Sequence, residues 1–406
     1  MKPLKLILTI SQLSLISLLI LAALPAAAQD DMQPLMGAWD ACETPASLSG
    51  DISLGVIFTL TGGAAVYGNP QQQAVALAVE EINASGYLGD AVLAPIYEDS
   101  TTDETGAISA MTKLVEEDGV VAVLGPTLSS EAFAADPIAQ DAGVPVMGVS
   151  NTATGITDMG DFVFRDSLPE SAVIPGNLAQ AVDILGLESV GILYSDNDDF
   201  TVSGYNVFAA TLEELGVEVV GTETFATGDV DFNAQLTSIL AEEPDALVMS
   251  ILAAEAVPMI NQARSLGFEG PIIGGNGVNS PAIAEQAGAD ANGVIVGAAW
   301  HITNPSDINT HFVEMYTEAY DGNPDQFTAQ SYTGAWLMAT AIRCADSAES
   351  SDIRDALAGI ADFDSPLGSF SFDEDRNPVH DPVAQIIVDG TFALLSADTA
   401  AEVFGE

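Results

Sequence analysis

Positive charge is almost missing from this sequence. Its 406 residues carry 8 lysines and arginines against 59 aspartates and glutamates, a formal net charge of −51. Apart from Lys2 and Lys5, which flank the first apolar run, the basic side chains are Lys113, Arg165, Arg264, Arg343, Arg354 and Arg376. Such a chain repels phosphate backbones and anionic lipid headgroups, which excludes nucleic-acid binding. High charge can also mean disorder, but 48% hydrophobic residues in steady periodic runs call for a folded core. The charge suits concentrated salt, where screening relieves self-repulsion.

Histidine, cysteine and catalytic motifs are scarce as well. His301, His311 and His380 lie far apart with no metal-ligand spacing, so no metal site is expected. None of them shares a motif with a serine or cysteine. There is no G-x-S-x-G elbow, P-loop, or G-x-G-x-x-G opening a helix, so the chain reads as a non-enzyme without a cofactor. Gly274-Gly275-Asn276-Gly277 is too short for a dinucleotide fingerprint and reads as a turn at a strand end. The acidic runs 195–199 and 373–377 lack the loop glycine and distal glutamate of a calcium loop, and read as solvated turns.

Beyond residue 28 no stretch is long and apolar enough to span a bilayer. Before it, Lys2 and Lys5, an apolar run to Leu24 and Ala26-Ala27-Ala28 ahead of Gln29 have the pattern of a cleaved export signal over residues 1–28. Thr9, Ser11, Gln12, Ser14 and Ser17 dilute that run, which argues against a retained anchor. A periplasmic protein follows. In that oxidising setting the two cysteines, Cys42 and Cys344, read as a disulfide tying an N-terminal arm, residues 29–50, to a late helix. Loop-closure entropy gives such a bridge about 5 kcal/mol at most.

What is present is a βα rhythm. From residue 51, short β-rich runs alternate with helix-length amphipathic stretches, the mark of an α/β fold with parallel sheets flanked by helices. Strands are expected over 52–58, 91–97, 120–124 and 144–149, with helices over 69–83 and 104–117. A second series of similar length starts after Arg165 and runs to residue 298. So long a chain exceeds one ordinary core, and two lobes are expected. Helices over 308–320, 327–343 and 353–360 have no strands between them and are expected to cover the first lobe. Strands over 368–372, 384–388 and 392–395 are expected to return to the second. Residues 51–166 and 302–362 would then form lobe 1, and residues 167–301 and 363–406 lobe 2. Several crossings and no flexible tether make their junction a multi-strand hinge.

The most informative stretch is residues 120–157, VVAVLGPTLSSEAFAADPIAQDAGVPVMGVSNTATGIT. It reads as strand, hydroxyl loop with Ser129 and Ser130, helix, strand, and a second hydroxyl loop with Ser150, Asn151 and Thr152. Right-handed crossovers bring both loops to the carboxyl edge of one sheet, where hydroxyls and helix N-terminal amides meet a ligand together. Similar strand-end loops carry Thr61 to Tyr67, Asp199-Phe200, Leu252-Ala253 and Asn276. A single serine or threonine of this kind is as readily a helix N-cap; the recurrence across both series points to a small carboxylate or similarly polar solute.

In order along the chain, the segments GVIFTLTGGAAVYG, ALAVEEINASG, VAVLGPTLSSEAFA, GVPVMGVSNTATGIT, VFR, GILYSDNDDFTVSG, GDVDFNAQLTSILAEEPDALV, INQARSLGF and GGNGVNSP resemble the periplasmic solute-binding proteins of ABC importers for branched-chain amino acids. The resemblance implies a type I binding fold, two lobes closing on a solute, a membrane permease as partner, and a monomer that does no chemistry. By the same resemblance Ser129 offers hydroxyl and amide to a ligand carboxylate, Ser150 a backbone carbonyl, and Thr152 amide and hydroxyl. Tyr67 and Phe200 form facing aromatic walls. Asn276 stands where the family often has an acid for the ligand ammonium, and Leu252 where it often has an aromatic. Phe327 and Gln330 are candidates to reach the pocket. These departures leave aliphatic amides, urea and aromatic acids as alternative ligands. A ligand-sensing receptor subunit is the alternative role.

Overall fold

A computed structural model describes residues 34–405, so the expected export signal and the first residues of the arm lie outside the described residues. Strands β1 (Ser49–Phe58), β2 (Asp90–Asp99), β3 (Ala122–Leu124), β4 (Val146–Gly148) and β5 (Val163–Arg165) form one sheet in the order β2-β1-β3-β4-β5, with every pair parallel. Helices α1 (Ala65–Ala84), α2 (Glu104–Thr112) and α3 (Ser129–Ala142) make the crossovers. Helix α2 runs on as a π-helical turn, Lys113–Asp118, so the single helix expected over 104–117 changes its winding partway. Helix α1 begins earlier than the sequence indicated and takes in Tyr67. Gly68 makes this possible: a Cβ there would lie 2.0 Å from the Thr59 carbonyl oxygen.

After β5 the chain crosses to α4 (Glu170–Leu185) and a second sheet. Strands β6 (Ser189–Ser195), β7 (Glu218–Phe225), β8 (Ala246–Ser250), β9 (Ile272–Gly274) and β10 (Val294–Ala298) alternate with α5 (Asp199–Leu215), α6 (Asn233–Leu240), α7 (Ala253–Ser265) and α8 (Pro281–Ala287). Helices α9 (Asp307–Tyr320), α10 (Gln326–Ala345) and α11 (Ser350–Ala358) follow without intervening strands. Helix α10 is buried on all sides from Gln326 to Arg343, as a helix through the centre of a core must be. Its Ala329, Tyr332, Trp336 and Ile342 share one apolar cluster with Leu54, Phe58, Ala78 and Ile82 of the first sheet and α1, so α10 does cover the first half.

One strand expectation is corrected. Strand β12 (Gly368–Phe372) pairs with β11 (Phe363–Ser365) and β13 (Pro378–Val379) in a separate three-stranded sheet. Phe363 and Phe370 are buried in the core of the first half, and Arg376 donates to the carbonyls of Val163 and Thr157. Residues 363–379 are therefore held by the first sheet. Only β14 (Val383–Val388) and β15 (Thr391–Leu394) return to the second, as antiparallel strands giving the order β15-β14-β10-β9-β8-β6-β7, followed by α12 (Ala397–Phe404). The chain thus passes between the halves three times.

The few cations have internal duties. Arg165 donates to the carbonyls of Asn151 and Ala153, and Arg264 to those of Phe268, Gly270, Asp290 and Asn292. Arg343 donates to the carbonyls of Cys42 and Tyr87 while its guanidinium lies over the rings of Trp39 and Tyr87. Cys42 is bonded to Cys344 as expected, with Cα atoms 5.1 Å apart. Among the described residues no helix is long and apolar enough to cross a membrane.

Candidate functional site

The carboxyl ends of the parallel strands of the two sheets face each other, and the loops that leave them meet in a narrow cleft. From the first half come Tyr67, Thr127, Leu128, Ser129 and Ser150, and from the second Asp198, Phe200, Leu252, Asn276 and Gly277, with Phe327 of α10 beside them. Seven residues expected from sequence are therefore brought together: Tyr67, Ser129, Ser150, Phe200, Leu252, Asn276 and Phe327.

Each wall has a local cause. At the end of β1 the close packing of Gly68 on Thr59 fixes the first turn of α1. That aims Tyr67 across the cleft, where its ring packs on Phe327 with centroids 4.8 Å apart and its hydroxyl donates to the Gly277 carbonyl. Gly277 has to lack a side chain, because a Cβ would sit 2.2 Å from the Ile251 carbonyl oxygen and 3.1 Å from the Phe200 ring. At the end of β3, Thr127 Oγ1 accepts from Thr59 N at 3.0 Å and donates to Gln71 Oε1 at 2.8 Å. Gln71 Nε2 donates to Ser150 Oγ at 3.0 Å, and that hydroxyl donates to the Thr127 carbonyl at 2.6 Å. Three loops are locked together by one neutral network, and Ser150 contributes its hydroxyl to that network. Ser129 Oγ accepts from Ala153 N at 3.3 Å and still lines the cleft.

The remaining expected residues stand behind this lining. Asn151 is fully buried and donates to the carbonyls of Pro126 and Thr127, tying the β4 loop to the β3 loop. Thr152 accepts Glu170 N at its carbonyl, 2.9 Å, and its hydroxyl lies beside the Glu170 carboxyl. Ser130 reaches across to the carboxylate of Asp198. Gln330 is buried within α10, one turn beyond Phe327.

Sequence reasoning missed two acids here. Asp198 was grouped with the solvated turn 195–199, but it is only 8% exposed and lines the cleft, while its neighbours Asp196 and Asp199 are exposed. Its Oδ1 accepts Thr201 N at 2.9 Å and caps α5. Glu170, at the start of α4, is buried behind Asn276 and accepts its backbone N–H at 3.0 Å. The Asn276 side chain accepts from Gln326, so Asn276 is engaged on both sides. Among the described residues no cluster of potential ligands could hold a metal ion.

The free space in the cleft is about 20 Å³, room for roughly one water. An amino-acid-sized guest enters only when contacts such as Tyr67–Gly277 and Gln326–Asn276 part. A larger cavity of about 150 Å³ lies on the far side of Gln326, beside Trp300, His301 and Phe392. Its polar groups are turned to one another: Gln385 to the Trp300 carbonyl, Asn279 to the Gly297 carbonyl, and His301 Nδ1 to the Thr303 hydroxyl. They do not converge on the space, as a ligand site requires.

Burial pushes both Glu170 and Glu131 up to about 7. The Asn276 N–H and the Thr152 hydroxyl resist the rise at Glu170, and the Ser100 hydroxyl, the Leu128 N–H and the Thr59 hydroxyl resist it at Glu131. An acid whose folded pKa lies above its unfolded value keeps its proton longer in the folded state, so stability falls as pH rises from about 4.5 to 7 and stays low above that. Each group is worth on the order of 3 kcal/mol across that window. The melting temperature is expected to be higher at pH 5 than at pH 8. Glu131→Gln with Glu170→Gln should flatten that dependence; equal pH slopes for variant and parent would refute the assignment.

A model of the periplasmic binding proteins matches residues 51–390. The chain belongs to that family. Among its relatives, an amino acid binding protein of Pseudomonas aeruginosa is 28% identical over 243 residues, covering 59% of this chain and 64% of the relative, just under two thirds of its length. A leucine-, isoleucine-, valine-, threonine- and alanine-binding protein of the same organism is 25% identical over 324 residues, covering 80% and 86%. A branched-chain amino acid transporter substrate-binding protein of Streptococcus pneumoniae, solved with isoleucine, superposes with a TM-score of 0.79 at 31% identity, covering 84% of this chain and 97% of that one. In this family's terms the structure is a type I binding fold with two sheet-based halves.

Proposed function

We propose that this protein is the solute-binding component of an ABC importer and captures a branched-chain amino acid, or a similar small amino acid, between its two halves. The observation that carries the reading is a narrow cleft between the carboxyl ends of the parallel strands of the two sheets, lined by hydroxyls, amides and aromatic rings with no cationic side chain. A carboxylate is held there by Ser129 and the N-terminus of α3, in a dry setting where neutral donors are strong. Tyr67, Phe200, Leu252 and Phe327 enclose the aliphatic part. Lobe 1 comprises the first sheet with residues 302–379, lobe 2 the second sheet, and the three crossings form the hinge. The working unit is one chain in the periplasm, delivering its solute to a membrane permease. The neutral Asn276 favours a second reading, a small acid or amide without an amine.

A thermal-shift series in molar salt tests the choice, with leucine, isoleucine, valine, benzoate, urea and acetamide as solutes. A branched-chain amino acid at 100 times its Kd is expected to stabilise the protein by about 2.7 kcal/mol. A shift with benzoate or an amide and none with any amino acid would replace the first reading by the second.

A further inference from the structure

We propose that Asp198, and not Asn276, receives the cationic end of the solute and thereby restricts the cleft to zwitterions. The inference rests on the binding role above and assigns the specificity of that same site.

Asp198 is the one acidic side chain among the residues that line the cleft; the other ten are neutral. Asn276 is poorly placed for the task. Its backbone N–H is given to Glu170, its side-chain oxygen already accepts from Gln326, and it carries no charge. Asp198 has an anion's needs only partly met. It accepts from Thr201 N and is helped by the Ser130 hydroxyl and the Phe200 N–H, yet among the described residues no lysine, arginine or histidine pairs with it. Burial accordingly pushes its carboxyl up, and the negative charge is felt by Tyr67 and Glu255, whose own acidities it weakens.

A buried carboxylate without a countercharge is costly, and a guest ammonium supplies what is missing. A guest that brings only a carboxylate meets a like charge in a dry space. Ser129, at the carboxylate end, and Asp198 line the same cleft, and Ser130, next to Ser129 in the chain, reaches Asp198. In an α-amino acid the carboxylate and ammonium share one carbon. A cleft that offers both a carboxylate seat and an unpaired acid takes leucine and rejects 4-methylpentanoate, its skeleton without the amine.

The test is calorimetric titration of both compounds into the parent, Asp198→Asn and Asn276→Ala proteins. Asparagine caps a helix about as well as aspartate, so α5 keeps its start. Asp198→Asn is expected to lose about tenfold or more in leucine affinity, while 4-methylpentanoate binds as well as before or better. The preference for leucine should survive in Asn276→Ala. The assignment is overturned if Asp198→Asn binds leucine within twofold of the parent, or if both compounds weaken equally. A parent protein that binds neither compound removes the proposed function itself, and is distinguished from a failure of Asp198 alone by that comparison.

Discussion

Cys42→Ser with Cys344→Ser is expected to lower the free energy of unfolding by about 2–5 kcal/mol, read as a lower denaturation midpoint. The bridge spans 302 residues of sequence, so it restricts the unfolded chain over nearly the whole described length. It also has local company. Arg343 Nε donates to the Cys42 carbonyl at 3.0 Å, Ala38 N donates to the Tyr87 hydroxyl at 2.8 Å, and Ser47 N donates to Asp346 at 2.8 Å. Trp39 packs edge-on against Tyr87 with ring centroids 4.7 Å apart. These contacts keep the arm near its place without the covalent link, which is why the loss should fall short of unfolding outright. Solute affinity should be unchanged, because Cys344 lies at the opposite end of α10 from Phe327. A change below about 0.5 kcal/mol would mean that the arm is held by those contacts alone.

Salt should matter nearly as much. With 59 acids against 8 lysines and arginines, the exposed carboxylates repel one another over distances that the ~30 Å Debye length at 0.01 M leaves unscreened and the ~3 Å at 1 M screens. Within the described residues, only Glu81, Glu98, Asp118, Asp161 and Asp355 lie within ion-pair distance of a cationic side chain. Most of the other exposed acids have no cationic side chain within that distance. The melting temperature is expected to rise by about 5–10 °C or more between 0.01 and 1 M sodium chloride, with most of the rise below about 0.5 M as screening saturates. Sucrose, which strengthens burial without screening charge, serves as the control. Equal effects of sucrose and salt would assign the stabilisation to burial, and a flat salt response would refute adaptation to brine.

The order of strands and helices was legible because apolar runs of period 2 and period 3.6 alternate from residue 51 onward. The loops bearing Tyr67, Ser129, Ser150, Phe200, Leu252 and Asn276 were legible for a related reason: parallel sheets put the ends of their strands on one edge. What escaped depends on distant partners. Asp198 stands in a run of acids whose other members are in solvent, and only the turn at the end of β6 swings it inward. Glu170 looks like an ordinary acid in a first helical turn, and its burial comes from Asn276, 106 residues away. The network of Gln71, Thr127 and Ser150 joins three loops that no local pattern connects. Strand β12 was assigned to the second sheet because short strands late in the chain look alike; Phe363, Phe370 and Arg376 decide otherwise.

The arginines that brace backbone carbonyls have a practical consequence. Trypsin must seat a free lysine or arginine side chain in its specificity pocket, and Arg165, Arg264, Arg343 and Arg376 are held against the protein's own main chain. Digestion of the native molecule at those bonds therefore waits on local opening, so its rate reports the population of opened forms.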